Sequence, residues 1–66
     1  MTPKLGQFVK CPADRGDPPY KGQIVNIAPG IYTDLKGTRY QWVTVRHSTY
    51  PNTAHVWPSH RLGFTL

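Results

Sequence analysis

Residues 38–47, TRYQWVTVRH, are the stretch that decides the fold of this chain. They are dense in β-branched and aromatic residues, which favour an extended backbone. Because successive side chains of a strand point to opposite faces, Val43 and Val45 predict one face directed at a core. The pattern assigns Gln41 and His47 to the same face and assigns Tyr40, Trp42, Thr44 and Arg46 to the opposite one.

Further short strands are predicted on either side of this one. Seven prolines and six glycines are scattered through the chain, so a helix of ordinary length would contain a breaker. Alternating apolar residues between turn signals predict strands at residues 7–11, 20–27, 54–57 and 62–66. Residues 58–61 predict a single 3₁₀ turn. The chain is therefore expected to be all-β, folded as a small antiparallel barrel of five strands.

Face assignments follow for the other strands. In residues 20–27, Val25 and Ile27 are predicted on one face and Ile24 on the other, and Gly22 indicates a bulge or a close backbone approach. In residues 54–57 the small apolar side chains predict the core face. Ala54 and Val56 would then point inward, and His55 and Trp57 outward.

Size and charge limit the function classes. Sixty-six residues make a single domain, 1–66, with a thin core, and disorder of residues 1–5 is left open. Cys11 is the single cysteine, so self-association is the stabilising device left to expect. No apolar run approaches the roughly 20 residues of a membrane span and no secretory signal is visible, which predicts a cytoplasmic protein. The net charge of +5, with three Asp and no Glu, favours an anionic partner.

The succession of strand, proline-rich loop, three-strand meander, single turn and last strand resembles an SH3-like small barrel. Within that group, the chain is similar to the plasmid-borne type II dihydrofolate reductases. The run Gly22-Gln23-Ile24-Val25, with Tyr20 two positions before it, matches their second strand, and Gly6 and Val9 keep the spacing of their first. Trp57-Pro58 followed by Leu62 matches the end of their fourth strand.

That resemblance implies an NADPH-dependent reductase acting as a homotetramer, with His55, Val56 and Trp57 lining a central pore. The family carries Gln and Tyr where this chain has His55 and Trp57, and a lysine where it has Cys11. The catalytic motif is therefore not retained. Fold carries over more readily than function under such changes.

A non-enzymatic hypothesis follows from the residues themselves. Aromatic rings interleaved with cations suit nucleic acid, because bases stack on the rings while Lys and Arg meet phosphates. The predicted site consists of Tyr40, Trp42, Arg46, His55 and Trp57, flanked by Lys21, Lys36, Arg39 and Arg61.

Other interpretations stay open beside this one. Trp42 or Trp57 could instead be buried between subunits, where tryptophan is enriched. A protein-binding module of a phage or another mobile genetic element would suit the small size. Neither a metal ion nor a cysteine nucleophile is expected, because the spacing of Cys11 from the histidines matches no known ligand pattern.

Overall fold

The computed structural model describes residues 2–66, and these residues form six strands and one 3₁₀ turn. The elements are β1 (Phe8–Cys11), β2 (Tyr20–Ile27), β3 (Tyr32–Thr33), β4 (Arg39–Tyr40), β5 (Trp42–His47), β6 (Ala54–Pro58) and the 3₁₀ turn (Ser59–Leu62). The all-β class is confirmed. None of the described elements is a helix of the length and apolarity that crossing a bilayer requires.

The strands form two open antiparallel sheets. One has four strands in the order β1-β2-β5-β6, and the other pairs β3 with β4. The last predicted strand, residues 62–66, is not formed: Leu62 ends the 3₁₀ turn, Gly63 adopts a left-handed φ of 90°, and Phe64 packs into the core from irregular chain. Within residues 2–66 the strands therefore do not pair into a closed five-stranded barrel.

The predicted 38–47 strand is interrupted at Gln41. The N–H of Gln41 donates to the hydroxyl of Ser59 at 3.0 Å, and its carbonyl accepts from the N–H of Ser59 at 2.8 Å. Since Ser59 is fully buried, the start of the 3₁₀ turn fixes the junction between β4 and β5. This turn, predicted at residues 58–61, is confirmed with a shift of one residue.

The core lies on one face of the four-stranded sheet. Its buried members are Cys11, Ile24, Val43, Val45, Trp57 and Phe64, with Val9, Tyr20, Ile27 and Leu62 packed against them. Val43 and Val45 thus form the predicted core pair. Pro3 is also buried, and the N–H of Gly6 donates to the carbonyl of Ile24 at 2.8 Å, so the beginning of the described chain lies against β2. Residues 2–5 of the segment whose order was left open are among the described residues, and Met1 lies outside them.

A bulge in β2 overturns the predicted alternation of that strand. The pairing with β5 shifts register between Ile24 and Asn26, which leaves Val25 as the extra, exposed residue. Ile24 is buried and Ile27 packs against the same core. A strict period of two fails here because a bulge adds one residue to one strand and reverses every face assignment beyond it.

The faces predicted for β6 are also wrong. Val43 lies opposite Trp57 and Val45 lies opposite His55, and residues directly opposite in an antiparallel pair point to the same face. Trp57 is only 5% exposed, whereas Val56 is 62% exposed. In so small a core the largest side chain excludes the most water, so the register that buries the indole wins over the one that buries Ala54 and Val56.

Candidate functional surfaces

The predicted site is divided between the two sides of the sheet. His55 and Trp57 share the core-side face with Val43 and Val45, whereas Arg46 pairs with Ala54 on the outward face. Trp42 also points outward. Tyr40, Trp42, Arg46, His55 and Trp57 therefore do not make one continuous surface, and this part of the prediction is corrected.

The outward face carries cations and exposed rings. Phe8 pairs with Gln23, Gln23 pairs with Arg46, and the guanidinium of Arg46 donates to the side-chain oxygen of Gln23 at 3.2 Å. The next row places Lys10 directly opposite Lys21. Phe8 is 71% exposed and Trp42 36% exposed. We call this surface the basic face and define it by Phe8, Lys10, Lys21, Gln23, Trp42 and Arg46.

The basic face holds no carboxylate. The three acids of the chain are Asp14 and Asp17, in the loop between β1 and β2, and Asp34, in the turn between β3 and β4. The two ion pairs among the described residues join Arg61 to Asp14 and His60 to Asp34, so Lys10, Lys21 and Arg46 are left without an acidic partner there. Like charges directly opposite across two strands destabilise the pairing, which makes an anion a favourable neighbour for Lys10 and Lys21.

The flanking cations of the predicted site lie apart from one another. Lys21 belongs to the basic face, whereas Arg39 lies on β4 opposite Thr33. Arg61 places its guanidinium carbon 5.1 Å from the centroid of the Trp57 ring, on the other side of the sheet. Tyr40 packs edge-on against Trp42 with centroids 5.4 Å apart, and also contacts His60.

A second surface, on the core side, is a pocket of about 320 Å³ at one end of the sheet. We call it the aromatic pocket. Rings from four segments line it, together with the β1–β2 loop: its lining is Pro12, Asp14, Asp17, Pro18, Tyr20, His47, Tyr50, Thr53, His55 and Trp57.

Tyr20 is the central ring of the aromatic pocket. It stacks on His47 with centroids 4.4 Å apart and planes 10° apart. Its hydroxyl accepts a hydrogen bond of 2.9 Å from the indole N–H of Trp57. Burial raises the pKa of Tyr20 to about 12, with the negative charge of Asp17 adding to the shift. The phenol is therefore neutral at physiological pH and acts as a fixed wall.

His47 positions the other tyrosine of the pocket. Its Nδ1 accepts the backbone N–H groups of Thr49 at 3.0 Å and Tyr50 at 3.2 Å. These bonds close the start of the β5–β6 loop and hold the ring of Tyr50 5.0 Å from the ring of His47. A histidine at the end of a strand thus fixes the loop and one wall of the pocket together.

The acidic rim of the aromatic pocket is built by a tight turn. Asp14 and Asp17 exchange backbone hydrogen bonds of 3.2 and 2.8 Å across Arg15 and Gly16. Both central residues have positive φ, 49° and 86°, which is a type I′ turn. The backbone bonds leave the two carboxylates free to project, and Asp14 Oδ1 lies 3.8 Å from Arg61 Nη1.

Sequence reasoning overlooked several residues of both surfaces. Phe8 and Lys10 alternate with Val9 and Cys11 along β1. If Cys11 had been predicted in the core, Phe8 and Lys10 would have followed on the outward face. Cys11 is buried, and this burial raises the pKa of its thiol. Tyr50 had no such signal, because only the folded β5–β6 loop brings it to the pocket.

The positions of these side chains can be compared with a metal site and with the pore of the reductase resemblance. No three side chains of His, Cys, Asp or Glu within residues 2–66 lie close enough together to hold a metal ion. Of the three residues that the reductase resemblance places in a pore, His55 and Trp57 share one face of β6 and Val56 occupies the other. Searches of protein-family models, curated proteins and solved structures find no match to the chain. The likeness to the type II reductases stays a prediction from the sequence.

Proposed function

We propose that this protein binds single-stranded nucleic acid through the basic face. The observation that carries the proposal is the combination of three cations, Lys10, Lys21 and Arg46, with two exposed rings on one carboxylate-free surface. The cations supply phosphate contacts. Phe8 and Trp42 supply ring faces on which bases of any identity can stack.

The spacing of the cations suits a polyanion. Lys10 and Lys21 lie opposite each other on neighbouring strands, and Arg46 lies one strand further, in the adjacent row. Neighbouring strands are about 4.8 Å apart. Three cations this close together favour a chain of phosphates, each of which carries one negative charge, over a single small anion.

The proposal also includes self-association, for a reason that differs from the one drawn from sequence. Trp57 is buried within its own chain and is not available to hold a second subunit. Strands β1 and β6 are the outer strands of the four-stranded sheet, and outer strands are templates for another strand. Joining two copies edge to edge would extend the basic face. The SH3-like barrel is likewise retained as a proposal, supported by the contact of the 3₁₀ turn with β1.

Fluorescence anisotropy with a labelled oligothymidylate tests the function. Three phosphate contacts predict a slope of about −2 for log K against log salt concentration, since each contact contributes about −0.7 on a single strand. The variant Lys10→Gln/Lys21→Gln should weaken binding and bring that slope to about −0.7. Phe8→Ala should cost about 1–3 kcal/mol of binding free energy without altering the slope.

A matched control separates the face from the overall charge. Lys36→Gln removes one positive charge in the β3–β4 turn, away from the basic face, and keeps the backbone hydrogen bond from Lys36 to Asp34. Binding should stay close to that of the unsubstituted protein. A loss with Lys36→Gln as large as that with Lys21→Gln alone, or no binding at 50 mM salt, would refute the proposal. The mass in solution, measured by light scattering, tests self-association separately.

A further inference from the structure

The aromatic pocket stands apart from the proposed nucleic-acid surface in both position and charge. It lies on the core side of the sheet, and two of the three carboxylates of a chain with net charge +5 are at its rim. The basic face takes an anion. The opposite side of the molecule presents rings and negative charge.

We infer that the aromatic pocket is a binding site for an organic cation, specifically an alkylated ammonium group. The negative face of an aromatic ring attracts a cation lying within about 6 Å of its centroid, and tyrosine and tryptophan are the strongest partners. Tyr20, Tyr50 and Trp57 supply such rings, and Asp17 supplies a full negative charge beside them.

The charge at the rim favours a cation over a neutral apolar group. Among residues 2–66 the carboxylate of Asp17 has neither an ion-pair partner nor a hydrogen-bond donor. It lies close enough to Tyr20 for its charge to act on that phenol. An ammonium group in the pocket would neutralise Asp17 and keep its alkyl surface against the rings.

The chain itself shows the same chemistry at the neighbouring face of Trp57. The guanidinium of Arg61 lies 5.1 Å from the centroid of that ring and 3.8 Å from a carboxylate oxygen of Asp14. One cation is thus already held by an aromatic ring and a carboxylate together. On the pocket side, Asp17 and the rings of Tyr20 and Tyr50 again combine a carboxylate with aromatic rings. There, no cationic side chain of the described residues lies between them.

The walls of the pocket are fixed before any ligand arrives. Tyr20 is held by its hydrogen bond with Trp57 and by its stack on His47, and the loop backbone at Tyr50 is held by the N–H groups of Thr49 and Tyr50, which donate to Nδ1 of His47. Fixed walls lower the ordering cost of binding. The volume of about 320 Å³ accommodates a trimethylammonium group with its attached chain.

The test is an NMR titration of the whole chain with choline and with its uncharged isostere, 3,3-dimethylbutan-1-ol. The indole N–H of Trp57 and the backbone N–H groups of Thr49 and Tyr50 report on the pocket. Choline should shift these signals and bind at least about tenfold more tightly than the isostere, a difference of about 1.4 kcal/mol. Equal binding of the two compounds, or no shift with millimolar choline, overturns the inference.

Two variants identify the elements responsible. Asp17→Asn should weaken choline binding about tenfold and bring it close to that of the isostere, and Tyr50→Ala should weaken both compounds. Tyr32→Ala, which removes an exposed tyrosine away from the pocket, should change neither. An unchanged choline affinity in Asp17→Asn would also overturn the inference.

A third arm identifies the source of the cation. A peptide carrying trimethyllysine is titrated beside choline. Tighter binding of the peptide indicates a side chain of a partner protein, and tighter or equal binding of choline indicates a small molecule. The oligonucleotide assay is independent of this pocket, so either proposal can fail while the other stands.

Discussion

Gly22→Ala is the substitution whose effect follows most directly from the structure. Gly22 lies in β2 opposite His47 of β5, and its backbone conformation is one that alanine also adopts. A Cβ atom built there would overlap Cγ1 of Val45 and lie 2.6 Å from the carbonyl oxygen of Arg46. Since ordinary contact begins at 3.4 Å, the two central strands would have to separate by about 0.8 Å.

The cost is estimated from the two effects of the added methyl group. Overpacking of a tight interior typically costs about 1–3 kcal/mol. Replacing glycine by alanine returns about 0.4–1 kcal/mol, because the unfolded chain loses conformational freedom. The net loss should therefore be about 1–2 kcal/mol, from a total stability of about 3–10 kcal/mol for a chain of this size. The melting temperature should fall by about 4–16 °C.

Urea unfolding followed by circular dichroism measures the loss, and a double-mutant cycle assigns its cause. Val45→Ala removes the methyl group that the new Cβ would overlap, so the double variant should be at least about 0.5 kcal/mol more stable than the two single losses added together. A free energy of unfolding for Gly22→Ala within about 0.5 kcal/mol of the unsubstituted value, typical of an exposed site, would refute the close approach.

Two further predictions concern the junctions around the sheet. The carboxylate of Asp34 accepts the backbone N–H groups of Lys36 at 2.9 Å and Thr38 at 2.8 Å, and these bonds lower its pKa from 3.8. Its contribution to stability is therefore present above pH 3.8 and lost as the pH falls through the lowered pKa, so Asp34→Asn should flatten the acid limb of a stability curve. Ser59→Ala leaves the N–H of Gln41 without its acceptor beside a fully buried position and should cost about 1–3 kcal/mol by thermal unfolding, whereas a loss under about 0.5 kcal/mol would contradict the role of this bond.

The parts of the fold that the sequence predicts well are those set by local chemistry. The bounds of β2 and the 3₁₀ turn follow from prolines and glycines that limit each segment, and the burial of Val43 and Val45 follows from the period of their own strand. The faces of β6 could not be predicted in the same way. Either face of residues 54–57 would bury apolar atoms, whether it is the face of Ala54 and Val56 or that of His55 and Trp57. The choice depends on which face fills the space left by the core residues of the other strands.

The bulge at Val25 has a similar origin. Gly22 indicated a bulge or a close backbone approach; the close approach lies at Gly22 itself, whereas the bulge lies three positions later. Its position depends on the pairing with β5, where Ile24 and Ile27 must both reach the core. The predicted site inherited only the β6 error: Lys21, Trp42 and Arg46 lie on one face of the sheet, whereas His55 and Trp57 lie on the other, in the aromatic pocket.

The burial of Trp57, which the predicted faces of β6 had excluded, also changes the account of what stabilises so small a chain. A thin core without a disulfide suggested that a second subunit was needed, yet the structure supplies an internal substitute in Trp57. A buried aromatic side chain removes about 150–250 Å² from water. At about 25 cal/mol per Å² this contributes about 4–6 kcal/mol, before the entropy cost of ordering the chain is subtracted. Trp57 is therefore a source of stability within the chain itself, and the outer strands β1 and β6 offer the edges on which the proposed association of two copies would rest.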